Sequence, residues 1–214
     1  MLAQALTENG FLVLPSVLSR HECETVCRLL PVDYSSPGTR NFLAEDWCKA
    51  LAGRLRMVPE VAAVLPRDAM AVQCTFFAKS PQTNWSVAFH RDLSIPVKKK
   101  IDTPHCKGWS EKEGVLYTQP PRDVLEELVA IRVHLDDCGT QNGPLRVFPR
   151  SHSLGQTELP EALQCLGMAG SAVIMKPLLI HGSSKAVVPS LRRVLHFLFG
   201  RKQLRYGLEW NEAV

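Results

Sequence analysis

The sequence lacks the features that would direct a chain into or across a membrane. No run approaches the roughly 18 to 20 apolar residues that span a bilayer. The opening segment MLAQALTENG has neither the basic start nor the long apolar stretch of a secretory signal. We therefore expect a soluble, cytoplasmic protein without a membrane partner.

A strong excess of one charge is also missing. The formal net charge is +4 and 21% of the residues are charged, values that are ordinary for a soluble protein. Nucleic-acid-binding domains are usually more basic, so we expect no nucleic-acid partner. No heptad pattern or long exposed apolar edge indicates an obligate protein partner.

A compact cysteine framework is absent as well. The seven cysteines are odd in number and scattered, which is typical of reduced thiols in a cytosol. Cys23 and Cys27 could suggest a metal clip, but with Val26 and Leu30 they follow the spacing of one helical face. We interpret them as buried core residues.

The sequence does contain enough apolar residues for one core. A chain of 214 residues, 45% of them hydrophobic, can bury roughly two-thirds of its unfolded surface. We expect a single domain over residues 1–214, with a helical N-terminal part at about 1–66 and a core at about 70–210. The elements predicted in the N-terminal part are a buried strand from Phe11, a helix opened by the capping box of Ser19 and Glu22, an amphipathic helix around Trp47, Cys48, Leu51 and Leu55, and a short helix from Pro59.

From Met70 onward, short β-branched and apolar runs alternate with turn signals. The predicted strands are Met70–Lys79, Val87–Leu93, Val129–Asp136, Leu145–Phe148, Ser171–Ile180 and Leu191–Phe199. No long helices separate them, which predicts an antiparallel barrel or jelly roll with the helices packed outside it. The connection at about 94–121 shows no strong periodicity, and loops of that length are usually lids or disordered. Its run of lysines, Lys98 to Lys100, is typical of a solvated face, and the alternative is an element that binds an anionic substrate.

Metal-binding chemistry is indicated by the predicted strand that contains His90. Residues i and i+2 of a strand project from the same face, so His90 and Asp92 should point together. They supply two ligands of a facial triad, and a second histidine from a distant strand would complete it. His181 is the candidate, although a lone histidine on an apolar strand is more often a core residue.

Arg192, eleven residues after His181, strengthens this interpretation. An arginine can bind a carboxylate through two parallel hydrogen bonds, with a planar geometry that lysine cannot match. Ser183 could add a hydroxyl donor to the same carboxylate. Arg193 should face the opposite side of the strand.

Together these residues resemble the phytanoyl-CoA dioxygenase family of iron(II)/2-oxoglutarate oxygenases. The matched elements are His90-Arg91-Asp92, the segment from Leu135 to His152, and His181-Gly182-Ser183 followed by Arg192. The resemblance implies a mainly β fold, the double-stranded β-helix or cupin-like jelly roll, with flanking N-terminal helices. One departure is Arg150, where a glycine is common in the family, and it affects a turn rather than the metal.

The resemblance also implies the cofactors and their residues. Fe(II) would be held by His90, Asp92 and His181, and Arg192 would bind the distal carboxylate of 2-oxoglutarate. O2 would be the other co-substrate, and ascorbate is an expected stimulant.

Further candidates follow from positions that the family often fills with glutamine and lysine. Gln73 and Lys79 occupy comparable positions and would contact 2-oxoglutarate or substrate, with Thr75 on the same face as Gln73. The alternative is that Lys79 simply ends an exposed strand.

Substrate contacts are predicted on two segments. Arg132 and His134 alternate with apolar neighbours, and they line the substrate pocket if their face is the barrel lumen but are solvated if it is the outer surface. The resemblance favours the lumen. Trp109 and Tyr117, in the long connection, are further candidates.

The implied activity is hydroxylation, or another C–H oxidation, of a small molecule, with decarboxylation of 2-oxoglutarate to succinate. Asp92 favours hydroxylation because related halogenases lack the carboxylate. Two alternatives remain: a zinc-dependent hydrolase, which would leave Arg192 without a role and which lacks the HExxH motif here, and a non-catalytic jelly roll that binds a small molecule. No residue pattern identifies the substrate.

Overall fold

The computed structural model describes residues 1–30, 38–153 and 159–214. Within these ranges, no helix is long and apolar enough to cross a membrane. The α-helices are α1 (Leu2–Asn9), α2 (Arg20–Leu29), α3 (Asp46–Arg56), α4 (Pro59–Ala62) and α5 (Arg122–Glu126). The strands are β1 (Phe11–Leu14), β2 (Gly38–Thr39), β3 (Ala69–Lys79), β4 (Val87–His90), β5 (Ile95–Val97), β6 (Lys107–Lys112), β7 (Val115–Gln119), β8 (Val129–His134), β9 (Leu145–Val147), β10 (Leu163–Cys165), β11 (Ala172–Met175), β12 (His181–Ser183) and β13 (Arg192–Arg201).

Three N-terminal helices, α2, α3 and α4, form where the sequence predicts them, whereas α1 was not predicted. The Ser19 hydroxyl accepts a hydrogen bond from the Glu22 amide, and the Glu22 carboxylate accepts one from the Ser19 amide. This capping box satisfies amide groups that the first turn of α2 cannot pair internally. Cys23 is buried and Cys27 is half-buried, which confirms their assignment to the core face, and all seven cysteines are free.

The largest sheet is antiparallel, with the strand order β1-β11-β8-β13-β3-β2. One of its faces packs against the helices through a core cluster that includes Leu195 and Phe197. Because side chains alternate along a strand, Arg192 and His196 project from the opposite face of β13. The predicted strand at Phe11 joins this sheet, paired with β11.

A second antiparallel sheet has the order β10-β9-β12-β4. It faces the inner side of the large sheet, and a cavity between them is lined by residues of both, for example Thr75 from β3 and His181 from β12. This arrangement is the expected mainly β, cupin-like jelly roll with helices outside it.

Two predicted strands are shorter than expected, and this changes how the site is built. β4 ends at His90 instead of Leu93, and β11 ends at Met175 instead of Ile180. Pro177 cannot donate to a strand ladder, and the chain turns there before His181 begins β12 in the other sheet. A continuous apolar run therefore contains a crossing between two sheets.

The expectation of an irregular connection at about 94–121 was wrong. These residues contain the three-stranded antiparallel sheet β5-β7-β6, and Ile95, Val97 and Tyr117 are buried. β6 is largely solvent-exposed and polar, which hides the alternation that would have revealed a strand. The lysine run lies on the surface as predicted, where Lys98 and Lys99 pair with Glu209.

Candidate active site

The three predicted metal ligands lie together at the cavity. His90 is directly opposite His181 in the pairing of β4 with β12, and their ring centroids are 4.4 Å apart. Asp92 Oδ1 is 3.4 Å from His90 Nε2, and Asp92 Oδ2 is 3.6 Å from His181 Nε2. Adjacent ligands of an octahedral ion with bonds of about 2.1 Å are about 3 Å apart. A small inward movement of these side chains would therefore accommodate a metal ion.

Both histidines are oriented in the same way by the backbone. Nδ1 of His90 lies 2.9 Å from the Ala88 carbonyl oxygen, and Nδ1 of His181 lies 2.9 Å from the Leu179 carbonyl oxygen. A neutral ring in this setting carries its proton on Nδ1 and donates it to the carbonyl, which leaves the lone pair of Nε2 available to a metal. The donor set of two imidazoles and one carboxylate suits iron(II) with open positions.

Arg91 ties the two ligand segments together, and sequence reasoning missed this role. Its guanidinium donates to the carbonyl oxygens of Leu178 and Ser151, each at 2.9 Å. The hydroxyl of Ser151 in turn accepts the amide of Ile180 at 2.8 Å. The residue between His90 and Asp92 thus holds the segment that leads into His181, which no local pattern could reveal.

The electrostatics of the cluster favour an ionised carboxylate. Burial tends to raise the pKa of Asp92, but the hydrogen bond from His90 and the nearby histidines hold that pKa well below its usual range. The side chain of Asp92 raises the pKa of His90, whereas burial lowers the pKa of His181. The carboxylate is therefore charged and available to a cation at neutral pH.

A third histidine, which sequence reasoning did not select, lies beside this cluster. His196 Nε2 is 3.9 Å from Asp92 Oδ2, and its buried Nδ1 has no hydrogen-bond partner among the described residues. Burial lowers the pKa of His196 to about 4, so the ring is neutral. His196 lies four residues after Arg192 on β13 and therefore faces the same side of the sheet, which is the signal that could have identified it.

The cavity beside the ligands has a volume of about 460 Å³, within the range of small-molecule sites. Its wall includes several predicted contacts, namely Gln73, Thr75, Tyr117, Arg132 and Ser183. The amide of Gln73 donates to the hydroxyl of Thr75 at 2.9 Å.

Two predicted substrate contacts lie elsewhere. Trp109 packs half-buried against the core cluster that contains Ile95 and Val97, outside the cavity wall. His134 faces the interior, as parity allows, but it is fully buried behind the wall. Burial, followed by the charges of Arg132 and Arg192, lowers the pKa of His134 to about 3. Neither side chain is among those that line the cavity.

Arg192 and Lys79 are paired across β13 and β3, and both are fully buried. Among the described residues, no oxygen partner reaches any of the three guanidinium nitrogens of Arg192. Lys79 Nζ contacts the Ser183 hydroxyl at 3.2 Å and the Ser184 carbonyl, so it does not end an exposed strand. A buried guanidinium without an anion is costly, and a bound carboxylate would satisfy it.

The charges of this region repel one another. Burial, followed by the neighbouring Arg192 and Arg132, lowers the pKa of Lys79 to about 7. Burial and Arg192 lower the pKa of Arg132 to about 9, which leaves that guanidinium charged at neutral pH. Arg193, one residue along, lies on the opposite face and binds Asp136, which confirms the parity prediction.

A family model described as Phytanoyl-CoA dioxygenase (PhyH) matches residues 39–194. The chain belongs to the phytanoyl-CoA dioxygenase family. Among curated proteins, none matches the sequence significantly. The matched range of this family member contains the clustered His90, Asp92 and His181, and also Arg192.

Solved structures share the fold of this phytanoyl-CoA dioxygenase family member at low sequence identity. The non-heme alpha ketoglutarate dependent epimerase SnoN from nogalamycin biosynthesis is 16% identical, with a TM-score of 0.69 over 94% of this chain and 81% of that one. EctD from S. alaskensis, in its apoform, is 17% identical, with a TM-score of 0.66 over 93% and 75%. HygX from Streptomyces hygroscopicus with nickel and 2-oxoglutarate bound is 19% identical, with a TM-score of 0.62 over 92% and 84%.

Family membership and the donor set support iron(II) and 2-oxoglutarate as the cofactors, and O2 is typical of the family. The residues also pass a physical test of fit. The ligand atoms of His90, Asp92 and His181 lie within 4.8 Å of one another. The Arg192 guanidinium has no hydrogen-bond partner in the described part of the chain, and a bound anion would satisfy it. Both requirements are met by a metal ion together with a dicarboxylate.

Proposed function

We propose that the protein is an oxygenase that hydroxylates a small molecule, or otherwise oxidises one of its C–H bonds, and converts 2-oxoglutarate to succinate. The observation that carries the proposal is the joint presence of the three-ligand cluster and the buried Arg192 guanidinium, which no oxygen partner reaches within the described ranges. A zinc hydrolase would need the first feature but has no use for the second. A non-catalytic binding protein would need neither in this combination.

In this proposal, His90, Asp92 and His181 hold the iron, and Arg192 binds the distal carboxylate of 2-oxoglutarate. Ser183 and Lys79, which contact each other at 3.2 Å, add donors to that carboxylate. When bound, iron and 2-oxoglutarate supply the oxidising power that puts one oxygen atom of O2 into the substrate and the other into succinate, with release of carbon dioxide.

The chain itself contributes orientation and shielding. The carbonyls of Ala88 and Leu179 keep both Nε2 atoms directed at the ion. Gln73, Thr75 and Tyr117 offer polar groups to a substrate in the cavity. The sheet β5-β7-β6 encloses one side of the cavity through Ile95, Lys112 and Tyr117, and the turn between β6 and β7 is held by Arg40, which pairs with Glu113 at 3.1 Å.

The test is iron-dependent formation of succinate from 2-oxoglutarate, with ascorbate present and a library of small molecules as candidate substrates. The His90→Ala and Asp92→Ala variants should lose this activity, because each removes one of three ligands. Succinate formation at the wild-type rate in either variant would refute the ligand assignment. Hydrolysis of a library compound with zinc in place of iron, and without 2-oxoglutarate, would favour the hydrolase instead.

Product analysis then defines the reaction type. Incorporation of an oxygen atom from labelled O2 into the product supports hydroxylation. A product that is changed in stereochemistry or ring structure but contains no new oxygen would contradict hydroxylation while leaving the use of iron and 2-oxoglutarate in place.

A further inference from the structure

The charged side chains of the cavity wall are almost all cationic. Among the described residues that line it, Arg40, Arg91, Lys112 and Arg132 are basic, and Asp92 is the single acid. Asp92 belongs to the proposed metal site. The remainder of the wall therefore offers positive charge without a negative counterpart.

Three of these cations already have partners or lie near solvent. Arg40 pairs with Glu113, and Arg91 donates to two backbone carbonyls. Lys112 is exposed and lies 5.2 Å from the centre of the Tyr117 ring. None of them calls for a further anion.

Arg132 differs from the other three. It is 7% exposed, and within the described parts of the chain no hydrogen bond or ion pair reaches its guanidinium. Its guanidinium carbon lies 5.5 Å from the centre of the Phe77 ring, and the neighbouring charge that affects it most is the like charge of Arg192. Its enclosed Nε has no acceptor. A guanidinium held in this way has the geometry to receive a carboxylate through two parallel hydrogen bonds.

A count of charges shows that 2-oxoglutarate does not neutralise Arg132. Iron(II) carries two positive charges, and Asp92 offsets one of them. One carboxylate of 2-oxoglutarate would offset the other, and its second carboxylate would offset Arg192. Lys79 adds further positive charge beside Arg192, so Arg132 keeps a full positive charge in a buried position, which is unfavourable unless an anion joins it.

Arg132 and Arg192 stand at different levels of the large sheet, although their like charges still repel each other. Arg132 is opposite His196 in the pairing of β8 with β13, whereas Arg192 is opposite Lys79. The two levels are four residues apart along β13, or roughly 13 Å at about 3.3 Å per residue. Arg132 is among the residues that line the cavity, whereas Arg192 and Lys79 are fully buried next to the lining residue Ser183.

We propose that the substrate carries a carboxylate and that Arg132 binds it. The inference rests on the proposed function, since it assigns 2-oxoglutarate to Arg192. A group with a single negative charge matches the single surplus guanidinium. The exposed lysine run is not the recognition element, because Lys98 and Lys99 pair with Glu209 on the surface.

The test measures binding of straight-chain carboxylates to the nickel-loaded protein saturated with 2-oxoglutarate. Butanoate, hexanoate and octanoate are each compared with the corresponding amide by calorimetry or ligand-observed NMR. At least one acid should bind about 10- to 100-fold more tightly than its amide, as expected for a charge-assisted pair. Arg132→Met should abolish this preference, and Lys98→Met should preserve it.

The outcomes separate the two proposals. Failure of the wild type to bind 2-oxoglutarate would overturn the proposed function. Normal binding of 2-oxoglutarate with no preference for any acid over its amide would overturn this inference alone. An Arg132→Met variant that keeps the preference but binds 2-oxoglutarate at least tenfold more weakly would assign Arg132 to the co-substrate and also overturn it. Retained 2-oxoglutarate binding by Arg132→Met shows that the variant is folded.

Discussion

Replacing Arg192 with methionine should make the protein more stable in the absence of 2-oxoglutarate and less responsive to it. The Arg192 guanidinium is buried beside Lys79 and Arg132 with no oxygen partner among the described residues. Methionine has a similar length and no charge. Replacing buried charges by apolar side chains of similar volume often stabilises a protein by about 1–4 kcal/mol, and an unpaired charge should give a gain of this size.

The stabilisation that 2-oxoglutarate adds on binding should be smaller in Arg192→Met than in the wild type. At a concentration of about 100 times its Kd, a ligand stabilises the folded protein by about 2.7 kcal/mol. Loss of a buried guanidinium–carboxylate contact should weaken binding about 100-fold, or about 2.7 kcal/mol. At the same ligand concentration, the variant would then gain only about 0.4 kcal/mol.

Urea unfolding of the nickel-loaded protein, with and without 2-oxoglutarate, measures both effects. Arg193→Met is the matched control, because Arg193 is the neighbouring residue on the opposite face and binds Asp136 at 2.6 and 2.8 Å. The control should lose about 1–3 kcal/mol of stability and keep the full response to 2-oxoglutarate. The reasoning is refuted if Arg192→Met is destabilised without ligand or responds to 2-oxoglutarate like the wild type.

Four further predictions concern the surroundings of the site. Lys79 has a pKa of about 7 in the folded protein, and a neighbouring carboxylate would raise it, so 2-oxoglutarate binding at pH 8 should take up protons in calorimetry with buffers of different ionisation enthalpy. A Lys79→Met variant with the same buffer dependence would contradict this. The pKa of this lysine is about 7 in the folded protein and an ordinary 10.5 in the unfolded chain. At pH values between these two, the unfolded state holds more protons, so the stability of the wild type should rise with pH relative to that of Lys79→Met in urea unfolding. Arg91→Met should weaken iron binding about 10- to 100-fold in anaerobic titrations, because the hydrogen bonds from Arg91 to the carbonyls of Leu178 and Ser151 are lost. Unchanged affinity for iron would show that Arg91 does not position the ligands. Gly143→Ala should cost about 1–3 kcal/mol in urea unfolding, because φ is +70° and a Cβ would lie 2.6 Å from the Ser184 carbonyl oxygen; wild-type stability would contradict it.

Local sequence patterns predicted the parts of the fold that depend on neighbours along the chain. The capping box at Ser19 and the buried face of α2 need only one helical turn. Arg192 and Arg193 face opposite sides of β13 because side chains alternate along a single strand. The strand β6 escaped prediction because its polar side chains carry no alternating pattern, and its pairing with β7 depends on residues elsewhere in the chain.

The sequence by itself determined which residue types and spacings supply the site: two histidines, one aspartate and an arginine at the right intervals on strand-forming segments. Only the tertiary structure decided that His90 pairs with His181, that Arg91 ties the two ligand segments together, and that Arg132 opens onto the cavity while His134 and Trp109 do not. Strand parity gives the direction of a side chain relative to its own strand. Its neighbours, burial and charge balance are set by pairing between segments that are distant in sequence, and these contacts exist only in the folded chain.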